Sequence, residues 1–143
     1  MIKLHKIGLM CLIKTRVKVH KAGKISACIV LDWGYEFNYD EHVFGRIWIC
    51  WKKFNFAVTV LDKSAQSITC VINSFKSNFC WYHSFVYGDN QGVERKMWAN
   101  LASMKARVAS NPWMICGDFN VVKLVAEKWG YKLNSYELEF GNV

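Results

Sequence analysis

A chain of 143 residues with 52% hydrophobic and 15% aromatic side chains has the apolar content of one ordinary globular domain, or part of a larger one, which excludes an intrinsically disordered segment. One proline and nine glycines leave no linker, low-complexity tract or solenoid repeat, so no internal domain boundary is expected. The net charge of +8 suits a polyanionic partner, yet it is concentrated at one end, where Lys3, Lys6, Lys14, Arg16, Lys18, Lys21 and Lys24 stand among residues 1–31 with no acid.

That basic end reads either as a nucleic-acid contact or as solvated lysines on a surface helix. Its apolar run "IGLMCLI" at 7–13 imitates a secretory leader poorly. The run is short, Lys14 and Arg16 follow it directly, and no small-residue cleavage site appears; a membrane span needs about 20 apolar residues. A soluble intracellular chain with no membrane partner is expected.

In chain order, 7–13 predicts a buried strand and 18–30 a helical or mixed connection. The runs "GRIWICWKK" (45–53), "FAVTVL" (56–61), "QSITCVINS" (66–74) and "FCWYHSFVYG" (79–88) are aromatic and β-branched, and short polar turns separate them. Such spacing predicts an antiparallel meander, and four consecutive strands predict one continuous sheet. From 92 to 109 the period changes: Val93, Met97, Leu101, Met104 and Val108 recur every three or four residues, the mark of an amphipathic helix. A further short apolar strand covers 112–120, after which the pattern weakens. Strands, then a helix, then a strand indicate an α/β protein with a mixed, largely antiparallel sheet. Six cysteines lack paired metal-ligand spacing and sit mostly in the apolar runs, so buried reduced thiols are expected.

Two of these strands end in polar clusters, "VYGDN" at 86–90 and "GDFN" at 117–120. Asp118 and Asn120 flank Phe119 and share one side of the chain if the extension persists. A carboxylate there orients water or binds a hard cation, and an amide donates to a phosphate oxygen. Gly-Asp-x-Asn is equally a good turn. Tyr87 and Asn90 admit the same two readings, as phosphate donors or as a core cap and a helix N-cap.

The joint pattern "FVYGDN", "ERKMW", "PWMICGDFNVV" and "EKWG", with "IGLMCLIKTRVK", "WGYEFNYDEHVFGRIWICW" and "QSITCVI" upstream, resembles the endonuclease/exonuclease/phosphatase family, and within it the endonuclease domain of plant non-LTR retrotransposons. The resemblance spans nearly the whole chain. It implies a DNase I-like four-layer α/β sandwich, present here as a single partial domain over 1–143 that lacks the family's first strand and its C-terminal third. It also implies an ancestral Mg²⁺-dependent hydrolysis of DNA phosphodiester bonds, with DNA as partner and a nuclear place of work.

Carried over residue by residue, the resemblance makes Asp118 and Asn120 catalytic and gives Tyr87 and Asn90 the scissile phosphate, while Arg95 and Trp98 are structural. The family's metal-binding glutamate is expected in an "ETR" or "ETK" triplet after the first strand. This chain reads Lys14-Thr15-Arg16 there, so no intact metal site is expected, because an ammonium cannot ligate Mg²⁺. The family's closing Asp and Ser-Asp-His triplet are not found within the 143 residues, and His5, His20, His42 and His83 do not replace that histidine by pattern. A truncated, inactive endonuclease domain is the leading expectation. A non-catalytic nucleic-acid-binding fragment and a phosphoesterase for small substrates are its rivals.

Overall fold

Side-chain alternation tells which residues share a face of a strand, but not which strands share a sheet. A computed structural model, which describes residues 7–29, 33–88 and 94–120, contains two sheets. Strands β1 (Leu9–Ile13), β2 (Trp33–Phe37) and β3 (Ile47–Lys52) form the first, ordered β1-β3-β2 with both pairings antiparallel. The second comprises β4 (Phe56–Lys63), β5 (Ser67–Ser74), β6 (Phe79–Tyr87) and β7 (Trp113–Asp118), in that order. There β4, β5 and β6 make an antiparallel meander, and β7 lies parallel to β6.

The expectation of one continuous sheet for the four central runs is therefore corrected, since β3 pairs in the first sheet and β4 to β6 in the second. The reason lies in the two faces of β3, where Ile47, Trp48, Ile49 and Cys50 are all buried. Ile47 and Ile49 pack against Ile68, Cys70, Ile72 and Phe85 of the facing sheet. On the opposite face Trp48 lies against Phe37 and Tyr39. A strand covered on both faces belongs to the middle of a layered fold, and the turn at 53–55 carries the chain from one sheet to the other. Strand β2 was not expected from the sequence. It is a five-residue strand at the edge of the described sheet, with Tyr35 exposed.

Helix α1 (Val19–Ile29) buries Ala22 and Ser26, four residues apart, and exposes Lys21 and Lys24. Helix α2 (Glu94–Val108) buries Met97, Leu101, Met104 and Val108 as its period predicts. Met97 and Leu101 meet Val86, with Trp98, Trp113 and Phe119 packed around them. Because α2 joins two parallel neighbours, it is the crossover of a β-α-β unit. Two facing sheets follow, with α2 packed on the face of the second sheet that carries Val86.

A polar link also fastens the sheets. Asn38 is fully buried, donates to the carbonyls of Ser64 (3.1 Å) and Ala65 (3.2 Å) before β5, and accepts from the Ile47 amide (2.9 Å) at the start of β3. All six cysteines are free thiols, but only Cys50 and Cys70 are buried, and Cys28, Cys80 and Cys116 are exposed. The expectation of buried thiols thus fails for those three; Cys80 is the second residue of β6, and Cys116 lies on β7, an outer strand of the described sheet. Among the described residues no helix is long and apolar enough to cross a membrane.

Candidate active site at the strand ends

In the parallel register of β6 and β7, Tyr87 is the partner of Asp118, so the two strands stop at the same edge. Their close approach depends on Gly117, whose φ is +147° and whose missing Cβ would lie 1.8 Å from the Val86 carbonyl oxygen. Past the strands, the Gly88 amide donates to the Asp118 carbonyl (2.7 Å) and the Asn120 side-chain amide donates to the Gly88 carbonyl (2.5 Å). The Asn120 backbone amide donates to Asp118 Oδ1 (3.0 Å), which is an Asx turn.

Turn and convergence are thus one arrangement. The extension does not persist to Asn120, whose φ is +52°, a conformation that asparagine tolerates better than most residues. Its amide is turned to Gly88 and does not point alongside Asp118. Between them, Phe119 stacks on Trp98 of α2 with ring centroids 5.5 Å apart and planes 8° from parallel, which holds the tip from behind. Asn90 and the side chain of Arg95 lie outside the described residues.

The first sheet brings cations to this edge. Ile13 and Ile47 are register partners, so Lys14 after β1 and Arg46 before β3 emerge side by side. Lys14 and Arg16 both have positive φ (60° and 48°), and Thr15 between them donates its hydroxyl to the Gly45 carbonyl at 2.9 Å. The Lys14 ammonium ends 3.8 Å from Asp118 Oδ2 and 5.7 Å from the centre of the Tyr87 ring. Arg46 lies 5.5 Å from the same ring. Tyr87, only 6% exposed, is therefore flanked by two cations. With side-chain exposures of 52% and 39%, the Lys14–Asp118 pair is screened by water and contributes about 0 to 1 kcal/mol to stability. Its importance is one of sign at the site.

Sequence reasoning missed Arg46. The available signal was a cation directly before the first residue of a strand, but its position opposite Lys14 appears only once β1 and β3 are paired. His83 stands on the Tyr87 face, four residues up the strand, about 13 Å away by strand rise. Its ring stacks on Phe85 (3.9 Å) and accepts at Nδ1 from Trp81 Nε1 (3.4 Å), which leaves the proton on Nε2, 3.0 Å from Cys116 Sγ. Burial pulls its pKa down to about 4, so it is neutral at pH 7.

The donor set does not fit a divalent cation. Mg²⁺ requires several oxygen ligands in near-octahedral array, whereas Asp118 Oδ1 is engaged by an amide and Oδ2 faces an ammonium. Among the described residues no group of three His, Cys, Asp or Glu side chains is placed to hold a metal.

The architecture is a DNase I-like α/β sandwich. The human Nocturnin catalytic domain with bound sulfate superposes with a TM-score of 0.52 at 18% identity, over 83% of this chain and 53% of that one. For ANGEL2, a 2',3'-cyclic phosphatase in complex with adenosine-2',3'-vanadate, the TM-score is 0.57 at 15% identity, over 85% and 42%. D. rerio TDP2 complexed with a single-strand DNA product gives 0.54 at 13%, over 83% and 50%. The chain spans about half the length of the solved structures it matches. At these identities the likeness is one of fold. No protein-family model and no curated protein sequence matches the chain.

Proposed function

We propose that the chain is a partial retrotransposon-type endonuclease domain that has lost metal-dependent hydrolysis. The observation that carries this reading is the Lys14 ammonium 3.8 Å from Asp118 Oδ2. The resemblance puts a metal-binding glutamate at position 14, and the substitution changes the local charge by two units. A cation beside Asp118 repels a second cation and removes one ligand from the set.

When bound, the family's Mg²⁺ would polarise the phosphate and sharpen the nucleophile, a contribution of several kcal/mol. In this chain Asp118 is left to orient a water, and Tyr87 with its two cations is left to meet a phosphate. Without the metal, worth several kcal/mol of transition-state stabilisation, orientation of a water by Asp118 gives little turnover. The polynucleotide class of the ancestral substrate is supported by the retroelement-like motifs and by the single-strand DNA product bound in the TDP2 structure. A nuclear place of work follows if that substrate was chromosomal DNA.

Mn²⁺ titration by calorimetry tests the reading. Lys14→Glu should create a binding site absent from the wild type, and Asp118→Ala in that background should remove it. If Lys14→Glu binds no more metal than the wild type, or if the wild type itself nicks DNA in a manner that Asp118→Ala abolishes, the reading is wrong.

A further inference from the structure

Beside the strand ends lies a cavity of about 260 Å³ lined by Arg16, Phe44 and Arg46. Arg16 and Phe44 have no part in the hydrolytic assignment, and Arg46 is shared with it. Arg46 connects the two places, since its guanidinium also lies over the Tyr87 ring at 5.5 Å. The walls are held by short-range structure. Gly45 takes φ +47°, and a Cβ there would meet the Tyr39 ring at 2.3 Å. Its amide donates to the His42 carbonyl (2.8 Å), and the Phe44 amide donates to His42 Nδ1 (3.1 Å). The bond from Thr15 Oγ1 to the Gly45 carbonyl then ties the Arg16 turn to the Phe44 turn. Phe44 leaves 46% of its surface in water, with its ring 5.8 Å from that of His42.

The geometry points to a metal-independent binding site for single-stranded nucleic acid, in which Arg16 and Arg46 grip a backbone phosphate and a neighbouring base stacks on Phe44. Guanidinium forks match phosphate oxygens in pairs, and an exposed ring beside them is the usual stacking platform for an unpaired base. Lys14, which shares the Tyr87 ring with Arg46, adds a third cation nearby. A fixed cation neutralises phosphate without a bound ion. Only the polynucleotide class of ligand is taken from the proposed function; no hydrolysis is needed.

Fluorescence anisotropy with a labelled twelve-residue oligo(dT) in EDTA tests the inference. The wild-type chain should bind, with affinity falling steeply as salt rises. Arg16→Ala and Arg46→Ala should each weaken binding at least fivefold and lower the salt slope by about one. Phe44→Ala should weaken it about fivefold or more and leave the slope unchanged. Lys21→Ala and Lys24→Ala on α1 should bind like the wild type. Loss of binding in the α1 variants with Arg16→Ala and Phe44→Ala unaffected would overturn the site, as would equal competition by a duplex, whose paired bases cannot stack on Phe44. Circular dichroism melts check that each variant folds, and Arg16→Ala, at an exposed position, keeps the test independent of Tyr87 packing. Failure of Lys14→Glu to gain metal would leave this result untouched, so the two readings fail separately.

Discussion

The side-chain amide of Asn120 reaches across the gap between two strand ends and donates to the carbonyl of Gly88. That bond, with the one from the Gly88 amide to Asp118, closes the parallel pair at the point where its ladder stops. Asn120→Asp removes the donor and sets a carboxylate against a carbonyl, while Asn120→Gly keeps the positive φ. The aspartate variant should lose about 1 to 2 kcal/mol in urea unfolding and the glycine variant about 1. Equal stability of all three would show that the bond contributes nothing.

Asn38 predicts a larger effect. Replacement by alanine leaves the buried Ile47 amide and two turn carbonyls without their partner. A loss of about 2 to 4 kcal/mol is expected, from unsatisfied groups and a small cavity together. The denaturation midpoint should fall with little change in slope, because the surface exposed on unfolding stays nearly the same.

At Gly117 the obstacle is steric. An alanine methyl would overlap the Val86 carbonyl, and its backbone would be held at φ +147°. Gly117→Ala should separate β7 from β6 or prevent folding, with a cost of about 3 kcal/mol or more. Limited proteolysis should then cut between α2 and β7 in the variant and spare that segment in the wild type.

The pH dependence of stability should carry the signature of His83. Its folded pKa of about 4 lies below the unfolded value near 6.5, so the unfolded chain binds the proton first. Stability should therefore fall as pH drops from about 6.5 towards 4 and level off below, by about 3 kcal/mol for this group. His83→Gln should flatten that part of the profile when thermal melts are run at half-unit steps. An unchanged slope would mean that another group carries it.

Much of the fold was legible in the sequence, and the illegible part has a physical cause. Met97, Leu101, Met104 and Val108 announced α2 because only a helix brings residues at that spacing to one face. The runs at 66–74 and 79–88 announced β5 and β6. Sheet membership was hidden, since Ile47 to Cys50 read as four apolar residues whether the covering layer is a helix or a second sheet. Strand β2 was hidden too, with Gly34 and Glu36 diluting its pattern. At the site, Asp118 and Tyr87 stood out as strand-end residues. The distance from Lys14 to Asp118 depends on how two sheets pack, which no spacing along one strand encodes.

The crossover through α2 also bears on the order in which the molecule assembles. Strands β4, β5 and β6 are joined by tight turns and pair with near neighbours, whereas β7 pairs with β6 only after the whole helix between them is formed. Contacts distant in sequence bear the larger loop-closure cost and form late. Asp118, at the far end of β7, should therefore reach its place after the meander is complete, so the edge that carries Tyr87 and Asp118 closes late. Pulsed hydrogen exchange during refolding should protect β5 and β6 amides before those of β7.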